Sequence, residues 1–207
     1  MSIRPFSYHH DPHRRKHGPK GYIDYTSYKD WLRDEFTFRC VYCLNRETWF
    51  PDLSSFGVDH LLSRFSRSDL ECEYNNLVYA CNKCNSFKSK SDGAPDPCNH
   101  AYALLLRINR DGTIEGLSSE GMKLISVLRL DRPKLTEWRE RWIKSYGELM
   151  QHPDTPQKSD LRHRFFGFPN DLPDLRALRP PSNTRPSGLK SCYYVLKSKG
   201  DLPDYYE

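Results

Sequence analysis

Apolar residues recur at helical spacing from Tyr25 onward, where Tyr28, Trp31, Leu32 and Phe36 or Phe38 follow Thr26 or Ser27, two residues able to cap a helix. The pattern predicts a helix whose aromatic face packs on the cysteine-bearing segment behind it. The stretches from Leu53 to His60 (LSSFGVDH) and from Asn76 to Ala80 (NLVYA) read as two short strands joined by a long polar loop. The next segment, CNKCNSFKSK, loses strand character and should open a helix. Beyond a break between Asp92 and Pro97, AYALLLRINRDGTIEGLS predicts a hairpin turning on Asp111 and Gly112, with Ile114 resuming the alternation. Two helices are expected after it, one capped by Ser118 or Ser119 and one with Pro133 in its first turn. Trp138, Trp142, Ile143 and Leu149 form the expected core face of the second, and the arginines between them a solvated face.

The two ends lack such a period. Residues 1–24 read as a flexible basic arm in which His9, His10, His13 and His17 are interleaved with Arg14, Arg15, Lys16 and Lys20. Residues 151–207 read as a proline-rich extended arm that wraps the core or docks a protein partner, its last stretch SCYYVLKSKGDLPDYYE able to supply a strand. Between them lie a core at 25–92 and a hairpin-plus-helix extension at 93–150 packed on that core, an α+β arrangement without internal repeats.

Composition changes this picture in two ways. Hydrophobic residues make up 37% of the 207 and charged residues 29%, with 15 prolines, so the apolar core should be thin and something besides apolar burial should help hold it. The net charge of +5 suits a polyanionic partner without demanding one. No apolar run approaches the roughly 18–20 residues of a membrane helix, and MSIRPFSYHHDPHRRKHG contains no apolar stretch that could be a secretory signal, so a cytoplasmic chain away from membranes is expected.

Cysteine usage supplies the missing staple. Four of the seven cysteines form two CxxC pairs, Cys40 with Cys43 and Cys81 with Cys84, rather than a disulfide framework. Two such knuckles make a tetrahedral thiolate site for zinc, and four soft anionic ligands close the coordination sphere, so the ion is structural and cannot activate water. It could supply on the order of 10 kcal/mol of folding free energy. Cys72, Cys98 and Cys192 are read as reduced thiols, with Cys72 close enough in sequence to be a spare ligand.

A zinc staple has no need of the polar residues between the knuckles. Asp59 and His60 end the first strand, Asn76 starts the second, and Asn85 directly follows Cys84 on the helix, three residues ahead of Lys88. With a CxxC ahead of the DH pair and NNLVYACNKCNSFK behind it, residues 40–90 resemble the HNH endonucleases of the ββα-metal type. The segment DGTIEGLSSEGMKLISVLRLDRP is similar, more loosely, to the region C-terminal to the motif in many bacterial members. LLSRFSRSDLE, after the DH pair, departs from the pattern by lacking the proline and glycine often found there.

The resemblance implies a ββα-metal core at 25–92 and a metal-dependent nuclease acting on DNA that leaves 5′-phosphate and 3′-hydroxyl ends. RNA stays open, because metal-assisted hydrolysis does not use the 2′-hydroxyl. His60, the only motif side chain that titrates near neutrality, is the expected general base. Asp59, on the opposite side of the strand, and Asn85 are expected to hold a hard divalent ion, magnesium or manganese. Asn76 is expected to bond across the loop and fix the backbone bearing His60. Arg64, Arg67 and Lys88 are candidates for phosphate contact. A role in a bacterial or phage defence complex is one context in which such nucleases occur. The alternative is a zinc-stapled nucleic-acid-binding or adaptor module whose catalytic residues are vestigial.

Overall fold

The computed structural model describes residues 5–205, apart from the side chain of Leu53. The first four residues of the expected basic arm and the last two of the C-terminal one lie outside the described residues. In chain order the elements are β1 (Pro19–Lys20), α1 (Lys29–Glu35), β2 (Phe56–His60), β3 (Leu77–Cys81), α2 (Asn82–Lys88), α3 (Tyr102–Leu105), β4 (Leu106–Ile108), β5 (Ile114–Gly116), α4 (Ser119–Leu128), α5 (Pro133–Gln151), α6 (Pro156–Phe166), β6 (Ser182–Asn183) and α7 (Tyr193–Lys199). The chain mixes helices with three two-stranded antiparallel pairs, β1–β6, β2–β3 and β4–β5, consistent with an α+β class. No helix among the described residues is long and apolar enough to cross a membrane.

Two compact units divide it. One is Arg14–Asp92 with Pro169–Pro203, and the other is Gly93–Phe168 with the described residues ahead of Arg14 and from Asp204 on.

In the first unit, Asp24 and not Thr26 or Ser27 caps the turn leading into α1, accepting from the Thr26 amide at 2.9 Å. The helical period then does what the pattern predicts: Tyr28, Trp31, Leu32 and Phe38 are fully buried and α1 packs against β2 and β3. The strand expected from Leu53 starts only at Phe56, because Leu53–Ser55 forms a 3₁₀ turn closed by the Asp52 carboxylate on the Ser54 amide at 2.7 Å. β2 and β3 pair in the register Asp59 with Val78 and His60 with Leu77. Leu77, Val78, Tyr79 and Ala80 are wholly buried, each large side chain contributing roughly 1.5–3 kcal/mol.

From Arg15 the expected flexible arm is instead held against this unit. Asp34 and Glu35, at the end of α1, take hold of it: His17 Nε2 lies 2.7 Å from Asp34 Oδ1, and the Lys16 and His17 amides donate to Glu35 at 2.8 and 3.0 Å. Arg15 donates to the Leu77 carbonyl at 2.7 Å, its guanidinium over Phe36 and Tyr74. Buried carboxylates need partners, and the basic arm provides them.

The C-terminal half of the expected proline-rich arm joins this unit, in keeping with the first of its two expected roles, wrapping the core. Leu172, Leu175, Cys192 and Val195 are buried, the Tyr193 amide donates to Asp34 at 2.8 Å, and Asp171 meets Arg33 at 3.1 Å. Its last stretch forms the helix α7, not a strand, and ends at Gly200 in the left-handed region.

The second unit holds the expected hairpin. Asp111 accepts from the Thr113 amide, and Gly112 sits at φ +79 where a Cβ would lie 2.3 Å from the Thr136 carbonyl. Ser118 caps α4 through the Gly121 amide at 3.1 Å, and Pro133 opens α5. The buried stripe of α5 is Leu135, Arg139, Tyr146 and Leu149, so Trp138, Trp142 and Ile143 are only half-buried. Arg139 is not solvated: it donates to the Leu130 carbonyl at 2.8 Å, within the turn that leads into the helix. Residues 93–150 share this unit with α6 and the chain's first described residues, where Tyr8 meets Tyr102 edge-on at 5.9 Å.

Candidate active site and metal centre

The two knuckles converge as their spacing predicts. The first is a tight turn closed by the Cys40 amide on the Asn45 carbonyl and by a bridge between Arg39 and Arg46, with Leu44 held at φ 62. The second spans the end of β3 and the first turn of α2. All four sulfurs are buried within 4.8 Å of one another, and Cys43 Sγ lies 3.7 Å from Cys81 Sγ. A tetrahedral zinc with bonds of about 2.3 Å has sulfur–sulfur edges of about 3.8 Å. The cluster could therefore hold a structural metal such as zinc. Without a cation the four thiols cannot all ionise. Burial pushes the Cys40 thiol well up, while hydrogen bonds from Cys40, Cys43 and Cys84 pull Cys81 far down. Cys72 is no spare ligand: its sulfur lies 3.4 Å from the Ile23 carbonyl, away from the cluster.

The second knuckle ties α2 to β3, α2 packs on the β2–β3 hairpin, and Asn85, Lys88 and Asp59 lie where they meet. Asn85, half-buried, donates its Nδ2 to the Val58 carbonyl at 3.2 Å, one residue ahead of Asp59. That orientation leaves its Oδ1 as an acceptor directed away from Val58. Asp59 is buried, its Oδ2 accepting from the Tyr42 hydroxyl at 2.7 Å and its Oδ1 from the His60 amide at 2.9 Å. Burial raises the Asp59 carboxyl above its ordinary value, opposed by Lys88 and Tyr42.

His60 faces different partners, as alternation along a strand requires. Its Nε2 lies 2.9 Å from the Glu71 carbonyl, and Tyr25 packs edge-on at 4.8 Å. A carbonyl only accepts, so the neutral ring carries its proton on Nε2 and keeps a lone pair on Nδ1. Nδ1 is not among the sealed, unpartnered polar atoms. Burial lowers the imidazole pKa below the ordinary 6.5.

Asn76 ties the loop that supports this ring. Its Oδ1 accepts from the Leu62 amide at 2.9 Å, and its Nδ2 donates to the Leu62 and Leu70 carbonyls at 3.0 and 3.2 Å. The loop lacks the proline and glycine of the HNH pattern, and the carboxamide of Asn76 supplies a brace.

The candidate phosphate contacts divide. Arg64 and Arg67 are about half-exposed, each paired with a carboxylate, Glu71 at 3.3 Å and Asp69 at 2.6 Å. Lys88 does not reach outward. Its ammonium is buried, donates to the His60 carbonyl and lies 3.5 Å from Asp59 Oδ1, so the expected phosphate contact gives way to an internal one. Three participants had no mark in the pattern: Tyr42 inside the first knuckle, Tyr25 against His60, and the backbone carbonyl of Glu71. Tyr42 reads in sequence as a knuckle spacer, and a carbonyl leaves no residue-type signal at all.

Comparison with protein-family models, with curated proteins and with solved structures gives no match.

Proposed function

We propose that this chain is a metal-dependent endonuclease of the HNH type, with a ββα core formed by β2, β3 and α2, hydrolysing DNA phosphodiester bonds. The observation that carries the reading is the Asn85 to Val58 hydrogen bond, which holds a carboxamide from the helix beside the strand bearing Asp59 and His60.

Hydrolysis needs a water deprotonated as it attacks phosphorus, and positive charge beside the phosphate. His60 takes the proton at Nδ1, its ring held by Glu71, and its lowered pKa keeps it neutral at working pH. Asp59 and Asn85 offer a carboxylate and an amide oxygen, a hard donor set that suits magnesium or manganese rather than zinc. Such an ion, when bound, neutralises developing charge on the phosphate and the leaving oxygen. The four-cysteine cluster, with no open position, serves only to hold the scaffold.

The test is plasmid nicking by the zinc-loaded chain in magnesium or manganese. Wild type is expected to nick, and Asp59→Ala and Asn85→Ala to abolish nicking with zinc content unchanged. A folded, zinc-replete wild type that nicks in neither ion overturns the reading.

A second reading, a binding module without catalysis, draws on one observation: the Lys88 ammonium already lies at Asp59. The two readings part on Lys88→Met. Breaking a buried pair by removing one partner costs about 3–5 kcal/mol. If Asp59 also holds a divalent ion, millimolar magnesium or manganese should restore part of that loss in a urea titration, because the ion replaces the missing charge. A loss insensitive to both ions favours the binding module.

A further inference from the structure

A row of rings and cations leads away from His60, all within one unit. Tyr25 lies edge-on to His60 at 4.8 Å, Arg64 sits 5.8 Å from the Tyr25 ring and 5.8 Å from Phe65, and the Lys90 ammonium lies 4.2 Å from the Phe65 ring. Phe65 is 67% exposed, with Arg64 and Lys90 the cations lying against its ring.

The turn that presents it is braced. Ser63 is buried, its amide donating to Asp92 Oδ1 at 2.5 Å, and Ser66 Oγ donates to Asp92 Oδ2 at 2.6 Å. The Ser66 and Arg67 amides close on the Ser63 carbonyl at 3.0 and 2.8 Å. The ring is therefore held out on a short, hydrogen-bonded turn, so stacking against it costs little ordering entropy.

We infer that Phe65 is a stacking platform for an unpaired nucleobase next to the scissile phosphate, with Arg64 and Lys90 on the flanking phosphates. The inference rests on the nucleic-acid reading of the site and names its substrate class as single-stranded or locally unpaired nucleic acid. Two features select this occupant. A base offers a π-face to an exposed ring, and its backbone offers anions to cations already lying against that ring. Lys90 has no carboxylate partner among the described residues, and Arg64 has only the half-exposed pair with Glu71. A paired base within a duplex presents no free face to Phe65.

The test is binding, measured without divalent ions so that nothing is cut. The full zinc-loaded chain is titrated against a short single strand carrying 2-aminopurine and against the matching duplex. Wild type is expected to bind the single strand more tightly and to quench the 2-aminopurine. Phe65→Ala should weaken single-strand binding about tenfold and abolish quenching, since stacking contributes about 1–3 kcal/mol per base. Phe65→Trp should retain both, and Lys90→Ala should lower the salt dependence while keeping the quench. Equal losses on strand and duplex, an unchanged affinity in Phe65→Ala, or no binding by the wild type overturns the inference. A chain that binds and stacks in this way but never nicks keeps the platform and loses the nuclease reading.

Discussion

Stripping the metal from the four-cysteine cluster, or replacing Cys84 by serine, should unfold the unit that carries Asp59, His60 and Asn85. Structural zinc supplies on the order of 10 kcal/mol or more of apparent binding free energy, while a whole domain is stable by only about 5–15 kcal/mol. The ligands also sit at the wrong places to be spared. Cys81 and Cys84 form the joint between β3 and α2, and the knuckle of Cys40 and Cys43 is tied to β3 by the Val41 amide on the Tyr79 carbonyl. The expected result is one zinc per wild-type chain, and for Cys84→Ser no zinc, loss of the share of helical circular dichroism contributed by α1, α2 and α7, and no cooperative urea transition from this unit. Cys98→Ser, outside the cluster, serves as the control and should melt as wild type does. A cooperatively folding, metal-free Cys84→Ser chain would remove the staple from the account.

Replacing His60 by alanine should lower nicking by about 10²–10⁴, the usual contribution of a positioned general base, with zinc content and folding retained. The pH profile carries the sharper expectation. Burial lowers the pKa of His60, so its neutral, proton-accepting form persists to lower pH than a free imidazole's. Activity should therefore be full at neutral pH and fall on an acid limb whose midpoint lies below 6.5. The same shift has a stability consequence of fixed sign. The unfolded chain binds a proton at His60 more readily than the folded one, so this residue's contribution falls as pH drops from about 6.5 toward the folded value. An acid limb with its midpoint at or above 6.5, or one that persists unchanged in the residual activity of His60→Ala, would show that another group takes the proton.

These expectations differ in how much they owe to residue order. The convergence of the four cysteines was legible because a tetrahedral soft-ligand site needs four sulfurs and the CxxC spacing supplies two pairs of them. The hairpin strands, α1, α2, the Asp111–Gly112 turn, the Ser118-capped α4 and the Pro133-opened α5 were legible for a similar reason: apolar period and turn residues act locally. Their misjudged edges, Asp24 as cap and the late start of β2, come from side-chain hydrogen bonds that compete with the backbone pattern.

Sequence alone determined which kinds of side chain β2, α2 and the two knuckles carry: a carboxylate, an imidazole, a carboxamide and four cysteines, all between residues 40 and 85. Only tertiary structure decided how they are used. It buried Lys88 against Asp59, turned Nε2 of His60 to a carbonyl, and drew both apparent tails inward onto the carboxylates of α1. Those outcomes depend on which buried charges lack partners once the chain is compact. That demand arises from long-range packing, so no local pattern of residues encodes it.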